Sequence, residues 1–259
     1  MALQPAGTRI PALHGALNFR DLGGYPTSDN RTVRWNCLYR SGTTHAMTDQ
    51  DVAQLAASGI RFAYDLRSNT ERTHYPNKLR GIAEIQYQFF DHDQVPGDID
   101  KMHRLPHMRP EQTRQIMMSL YKTLPHDFKL AYRTLFLHLA NGDVPIVFNC
   151  TGGKDRTGVA AALVLTTLGV PRDTVLDDYL LTELFFDRSC EIVLQGKQAE
   201  LFAGVEREVW EPFMRTDRAY LDAMFDQLRE AHGSVDGYLE AELDISHATV
   251  ERIRARLLD

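Results

Sequence analysis

Apolar residues along the chain fall into two rhythms. Ile116, Leu120 and Leu124, with Met117 and Tyr121, recur at helical spacing. Phe128, Tyr132, Leu135, Phe136 and Leu139 repeat that spacing until Asn141-Gly142 ends it. Shorter apolar runs at 33–39, 60–66, 85–90 and 145–149 predict strands. The Ala-rich stretch 159–168 predicts a buried helix, and Pro171 suits the start of the next, with Leu176, Leu180 and Leu184 four apart. Tyr220, Met224 and Leu228 mark another helix, and 235–258 reads as two short ones around Leu243-Asp244-Ile245-Ser246.

Polar residues supply the punctuation. Thr48 with Asp51, and Ser68 with Glu71, have the spacing of helix N-caps. The stretch 18–26 is dense in turn formers and reads as a loop, while Pro96, Pro106 and Pro110 make 91–110 irregular. Residues 185–215 are interrupted by Gly196 and Gly204 yet keep Phe185, Phe186, Leu194, Leu201, Phe202 and Trp210. Strands alternate with helices, and neither a repeat nor a linker divides them. The pattern predicts one α/β domain over 1–259.

Composition narrows the classes. Lys plus Arg total 29 against 35 Asp plus Glu, a net charge of −6, so any anion recognition should be local and no nucleic-acid partner is expected. Cys37, Cys150 and Cys190 are an odd, widely spaced set, which argues against a disulfide framework and suits a reducing compartment. No run approaches the roughly 18 apolar residues of a membrane span, and no signal-like N-terminus is present. The expectation is a cytoplasmic protein without stable membrane insertion, although export without a signal stays open, as does oligomeric state.

The chemistry concentrates where the strand 145–149 ends. Cys150 is followed by Thr151-Gly152-Gly153-Lys154-Asp155, then Arg156-Thr157-Gly158 and the 159–168 helix. Strand, tight loop and helix N-terminus make an anion site, since the loop N–H groups can converge on one ligand. A phosphate monoester carries about −1.5 to −2 charges near neutral pH, and Arg156 can hold two of its oxygens as a fork. The loop amides of 151–156 and Lys154 can hold the rest. The same field favours the thiolate of Cys150, to which Thr157 can donate. In-line attack by that thiolate would give a phosphocysteine that water hydrolyses. Asp155 is the first choice for protonating the leaving group. Asp65, at a strand end beside Arg67, can orient Arg156 or Asp155, and Asp91 and Asp93 are alternatives outside the loop.

The string Cys150-x-x-Gly153-Lys154-Asp155-Arg156-Thr157-Gly158 resembles the phosphate loop of cysteine-dependent phosphatases, specifically bacterial atypical tyrosine phosphatases of the mycobacterial phosphatase B type. Asn18-Phe19-Arg20-Asp21-Leu22-Gly23-Gly24, Leu38-Tyr39-Arg40-Ser41, Asp65-Leu66-Arg67-Ser68 and Asp178-Tyr179-Leu180-Leu181-Thr182 also look like that family's signatures. The likeness is weakest across 91–110 and 188–215. It implies a central, mostly parallel sheet flanked by helices, a helical lid within about 185–215 and a helical C-terminus. It implies activity on phosphotyrosine, with phosphoserine, phosphothreonine or phosphoinositides as further substrates, and no cofactor. It also favours a general acid inside the loop, which is Asp155 here. One position departs from the pattern: Asn149 precedes the nucleophile where histidine is usual.

Plainer readings stand beside these. Cys37 and Cys190 read as small core residues. Lys154 is either a solvated charge or a second phosphate contact, and Arg20, Arg40 and Arg67 read as structural ion-pair members. His103 and His107 flank Pro106, which disfavours a helical metal pair. Phe148 and Asp155 stand where a nucleotide-binding Walker loop needs glycine and a hydroxyl. The pair of helices near Ile245, with Arg252, Arg254 and Arg256, resembles a DNA-reading helix-turn-helix, but structural packing is preferred. A catalytically weak phospho-ligand binder is the remaining alternative.

Overall fold

The alternating pattern folds into a five-stranded sheet between two layers. The computed structural model describes residues 9–93, 107–195 and 199–259, with backbone alone at 195 and 201. The strands are β1 (Arg20–Asp21), β2 (Leu38–Ser41), β3 (Phe62–Asp65), β4 (Gln86–Phe89) and β5 (Ile146–Asn149). Their order is β1-β2-β5-β3-β4; β1 runs antiparallel to β2 and every other pair is parallel. The helices are α1 (Asp49–Ala56), α2 (Asn69–His74), α3 (Pro110–Asp127), α4 (Lys129–Asn141), α5 (Asp155–Thr167) and α6 (Arg172–Leu180). They continue as α7 (Phe186–Gln195), α8 (Ala199–Phe202), α9 (Arg207–Met214), α10 (Arg218–His232), α11 (Val235–Leu243) and α12 (His247–Leu257).

Side-chain alternation on β5 joins the layers. Ile146 and Phe148 enter a large core with α3 to α6 and α10 to α12, whereas Val147 enters a smaller one with Tyr39, Leu55, Ala63 and Ile85. Each of these β5 side chains is fully buried, a contribution of about 1.5–3 kcal/mol apiece. The central strand is thereby fixed from both faces. Ser41 and Asp65 both register with Asn149, so three strands end level. The loops that follow them converge at the carboxyl edge of the sheet, where such sheets bind ligands.

Several boundaries differ from the sequence pattern. Asn36 takes a left-handed conformation (φ 60°), which interrupts the extended run expected at 33–39, so β2 begins at Leu38 and includes Arg40 and Ser41. The buried stripe of α3 is Thr113, Met117, Tyr121 and Leu124, while Leu120 turns toward a cavity. α6 stops at Leu180 and a 3-10 turn follows, leaving Leu184 at 68% exposure instead of in line with Leu176. Both expected N-caps form, Thr48 to α1 and Ser68 to α2. At the C-terminus Val250, Ile253 and Leu257 of α12 are buried, and Arg254 donates to the Thr167 carbonyl at 2.7 Å. The helix pair is built into the body. Most of 91–110, with His103, lies outside the described residues.

The segment holding α7 to α9 makes a separate apolar cluster of Phe186, Cys190, Phe202, Val209 and Trp210. It packs over α3 and forms a roof above the carboxyl edge. Among the described residues no helix is long and apolar enough to cross a membrane.

Candidate active site

Cys150 sits immediately after β5, 2% exposed, at the bottom of a cavity of about 190 Å³. The loop runs to Lys154 and α5 begins at Asp155, four residues before the apolar pattern starts. Asp155 and Arg156 therefore occupy the helix's first turn. Gly153 holds φ at +67°, and a Cβ there would lie 2.6 Å from the Gly42 amide nitrogen. Glycine is needed for both conformation and contact. The loop's carbonyls are taken from behind: Asn18 donates to the Gly152 and Gly153 carbonyls, and the Thr43 amide donates to Thr151. A curled loop whose carbonyls face outward turns its N–H groups toward the concave side.

Behind the loop lies a buried ionic cluster. Asp178 accepts from Arg20 at 3.1 Å, Arg40 at 2.7 Å and the Tyr25 hydroxyl at 2.9 Å. Arg40 also donates to the Gly153 carbonyl at 2.8 Å, which ties the cluster to the loop. Burial alone would raise the Asp178 carboxyl, but Arg20 and Arg40 hold it well below the usual range. Burial, with Arg20 adding to it, pushes Arg40 down to about 10.

Arg156 forms a two-pronged pair with Glu71, at 2.7 and 2.6 Å. Glu71 also accepts from the Thr151 hydroxyl at 2.6 Å and from the Ser68 amide at 2.8 Å. One carboxylate thus caps α2, holds the loop and sets the guanidinium plane. Burial works against the Glu71 charge, but Arg156 prevails and its carboxyl stays far below the ordinary value. The Nε of Arg156 is buried and has no hydrogen-bond partner among the described residues. Asp155 accepts from the Tyr121 hydroxyl at 2.8 Å. Lys154 donates to the Phe213 and Arg215 carbonyls of the roof at 2.6 and 3.2 Å and lies 3.1 Å from Asp155 Oδ1.

The expected residues divide accordingly. Cys150, Thr151, Gly152, Lys154, Asp155 and Arg156 line one cavity, and Gly153 and Thr157 stand just behind it. Lys154 is 5% exposed and is no solvated charge. Asp65 does not orient Arg156 or Asp155; it pairs with Arg67 at 2.7 Å and accepts from Asn77 and Tyr87. Arg67 is correspondingly structural, as are Arg20 and Arg40. Asn149 accepts from Asn77 at 3.1 Å, so it joins the same polar layer under the loop. The Thr157 hydroxyl is buried without a partner among the described residues, and the bond expected to Cys150 is not formed. Asp91 is exposed and accepts from Asn69, and Asp93 is exposed; neither lines the cavity. Glu71, Asn18, Tyr121 and Asp178 join the site although the sequence pattern does not mark them as site residues. Glu71 carried one signal, an N3 carboxylate at a strand's carboxyl edge, but its reach to Arg156 depends on strand order.

The cavity is walled above by Met117 and Leu120 of α3, Val193 of α7, Phe202 of α8 and Phe213 of α9. Among the described residues there is no group of three or more His, Cys, Asp or Glu able to hold a metal, and Cys37, Cys150 and Cys190 are free thiols.

A parallel sheet whose central strand delivers a cysteine into a glycine-containing loop, with arginine in the next helix turn, defines a cysteine-phosphatase-like fold. The chain belongs to the tyrosine phosphatase family, which it matches over residues 11–259. It is 31% identical over 235 residues to a Cupriavidus necator protein that carries a provisional tyrosine-protein phosphatase name, covering 89% of this chain and 83% of that one. It is 29% identical over 279 residues to the triple specificity protein phosphatase PtpB of Mycobacterium tuberculosis, covering 96% and 99% respectively. A tyrosine-protein phosphatase of Nostoc commune is 24% identical over 230 residues, covering 86% and 74%.

Proposed function

We propose that the protein hydrolyses phosphotyrosine, and with it phosphoserine, phosphothreonine and phosphoinositides, through a phosphocysteine intermediate. The observation that carries this reading is the meeting of Cys150, Arg156 and the loop's concave face at the floor of one cavity. The phosphoryl group sits in the loop, held by the N–H groups of 151–156 and by Arg156. The Cys150 thiolate attacks phosphorus and the bond to the leaving oxygen breaks. The electron pair goes to that oxygen, which takes a proton from Asp155. Water then attacks phosphorus, Asp155 accepts its proton, and the sulfur–phosphorus bond returns its electron pair to Cys150.

The walls bear on the substrate. An aryl phosphate places its ring among Met117, Leu120, Val193 and Phe202, where a serine phosphate has only its short stem. Phosphotyrosine is therefore the preferred substrate, and the roof of α7 to α9 acts as a lid that admits it. Similarity to a phosphatase named for triple specificity supports the broader range. Phosphate release from phosphotyrosine, phosphoserine and phosphothreonine peptides and from phosphoinositide vesicles, with Cys150→Ser alongside, tests the proposal. Release from phosphotyrosine that vanishes in the variant is expected. Release that survives in Cys150→Ser removes the phosphocysteine, and tight binding without release favours a phospho-ligand binder.

A further inference from the structure

Behind the first turn of α5, two phenols from different helices meet. Tyr121 comes from α3 and Tyr179 from α6, and each is buried, at 0% and 1% exposure. Their hydroxyl oxygens are 2.7 Å apart, and their rings pack edge to face with centroids 5.9 Å apart. Tyr121 donates its hydrogen to Asp155 Oδ1 at 2.8 Å. The hydrogen between the two hydroxyls must then belong to Tyr179, because each phenol has one to give. The chain of donation runs Tyr179 to Tyr121 to Asp155.

That direction constrains the carboxyl. Oδ1 faces the Tyr121 hydroxyl and the Lys154 ammonium at 3.1 Å, both of them donors. A proton on Oδ1 would collide with them, so the neutral acid carries it on Oδ2. No hydrogen bond to Oδ2 is made by the described residues, and the 29% exposed side chain lines the cavity. Burial, aided by the Asp155 charge, raises both phenols well above their ordinary value, so they remain protonated donors. We infer that Tyr121, backed by Tyr179, is a positioning residue for the reaction: it fixes the Asp155 carboxyl so that Oδ2 presents the proton to the leaving oxygen. The inference rests on the role given to Asp155 above.

A purely structural hydroxyl pair would stabilise the fold without regard to leaving group. The positioning role predicts a dependence on it, because a poor leaving group needs the proton and a good one does not. The experiment measures kcat/KM, which reports phosphocysteine formation and not its later hydrolysis, together with KM, on aryl phosphates running from p-nitrophenyl to phenyl phosphate. Asp155→Asn is expected to lower kcat/KM for phenyl phosphate by about 10²–10⁴ and that for p-nitrophenyl phosphate far less, while kcat on both falls with the shared hydrolysis step. Tyr121→Phe should slow phenyl phosphate by about tenfold, with KM and the p-nitrophenyl rate within about twofold, since it removes one hydrogen bond to a charged group. Tyr179→Phe should do the same to a smaller degree. The Tyr121→Phe/Asp155→Asn double variant should be no slower than Asp155→Asn alone.

The p-nitrophenyl kcat/KM retained by Tyr121→Phe and Tyr179→Phe also reports that these variants fold, and circular dichroism reports the same for Asp155→Asn. Equal losses on both substrates in Tyr121→Phe, or additive losses in the double variant, would overturn the inference while leaving Asp155 as the acid. An Asp155→Asn variant without leaving-group dependence would remove the acid from Asp155 and the inference with it. The single variant separates those two failures.

Discussion

The floor of the cavity and its roof are held together by different means. The floor is ionic and buried: Asp178 lies between Arg20 and Arg40, and Glu71 grips Arg156. Their oxygens and nitrogens bond to one another and to loop carbonyls, so the loop cannot shift without breaking charged hydrogen bonds. The roof is a small apolar cluster of Phe186, Cys190, Phe202, Val209 and Trp210. Among the described residues its polar ties include Lys154 to the Phe213 and Arg215 carbonyls at the loop, the Tyr220 hydroxyl to the Pro212 carbonyl at 3.0 Å, and, at the rim, Arg215 to Glu183 and Glu211. A preorganised floor suits chemistry that needs fixed donors, and a lightly tied roof suits passage of substrate. The two regions meet at Lys154, a loop residue whose ammonium is bound to the roof.

The sharpest way to break this contrast is to remove the charge at the centre of the floor. Asp178→Asn leaves Arg20 and Arg40 buried without an anion, and breaking a buried pair in this way costs about 3–5 kcal/mol. Chemical denaturation should show a loss of that size. Its pH dependence has a definite sign. The Asp178 carboxyl is held below its ordinary value, so its contribution is complete above about pH 4 and fades as pH falls toward the folded-state value. The gap between wild type and variant should be flat from pH 7 to 5 and narrow under acid. A gap that widens under acid would mean that Asp178 does not carry the floor.

The contrast also explains what the sequence made legible. Cys150, Arg156 and the two glycines between them lie close along the chain, so one strand-loop-helix signal exposes them together. Glu71 and Asp178 do their work across strand order: β3 lies beside β5, which brings 66–71 next to the loop, and Arg20, Arg40 and Asp178 come from distant segments. Alternation in residue type cannot specify such pairings. Asp65 illustrates the cost of proximity in sequence alone. It stands at a strand's carboxyl end level with Asn149, yet Arg67, two residues on, captures it. The roof was legible in a different way. Its apolar residues lacked a regular period, because three short helices bury them against each other instead of against the sheet.

A smaller perturbation sharpens the comparison at the point where the two regions join. Lys154→Met keeps the apolar stem and deletes the ammonium bonded to the Phe213 and Arg215 carbonyls. A hydrogen bond from a charged donor contributes about 1.5–3 kcal/mol, so the roof should open at least about tenfold more often. Hydrogen exchange at the amides of α9 reads that opening directly, and α5 should keep its protection. Equal acceleration in α5 and α9 would mean that roof and floor unfold as one unit, and the distinction between them would fall.

The least effect is expected at the rim. Arg215→Ala removes a half-exposed pair with Glu183 at 2.6 Å, a pair with Glu211, and the stacking of its guanidinium 3.8 Å above the Phe186 ring. Pairs open to solvent on one side contribute about 1 kcal/mol, and Glu183 keeps the hydrogen bond from the Thr216 hydroxyl at 2.7 Å. Because the Arg215 carbonyl belongs to the backbone, its bond from Lys154 survives the substitution. Exchange in α9 should therefore quicken by no more than about fivefold, less than in Lys154→Met. An acceleration as large as that of Lys154→Met would place the roof's principal tie at its rim instead of at the loop.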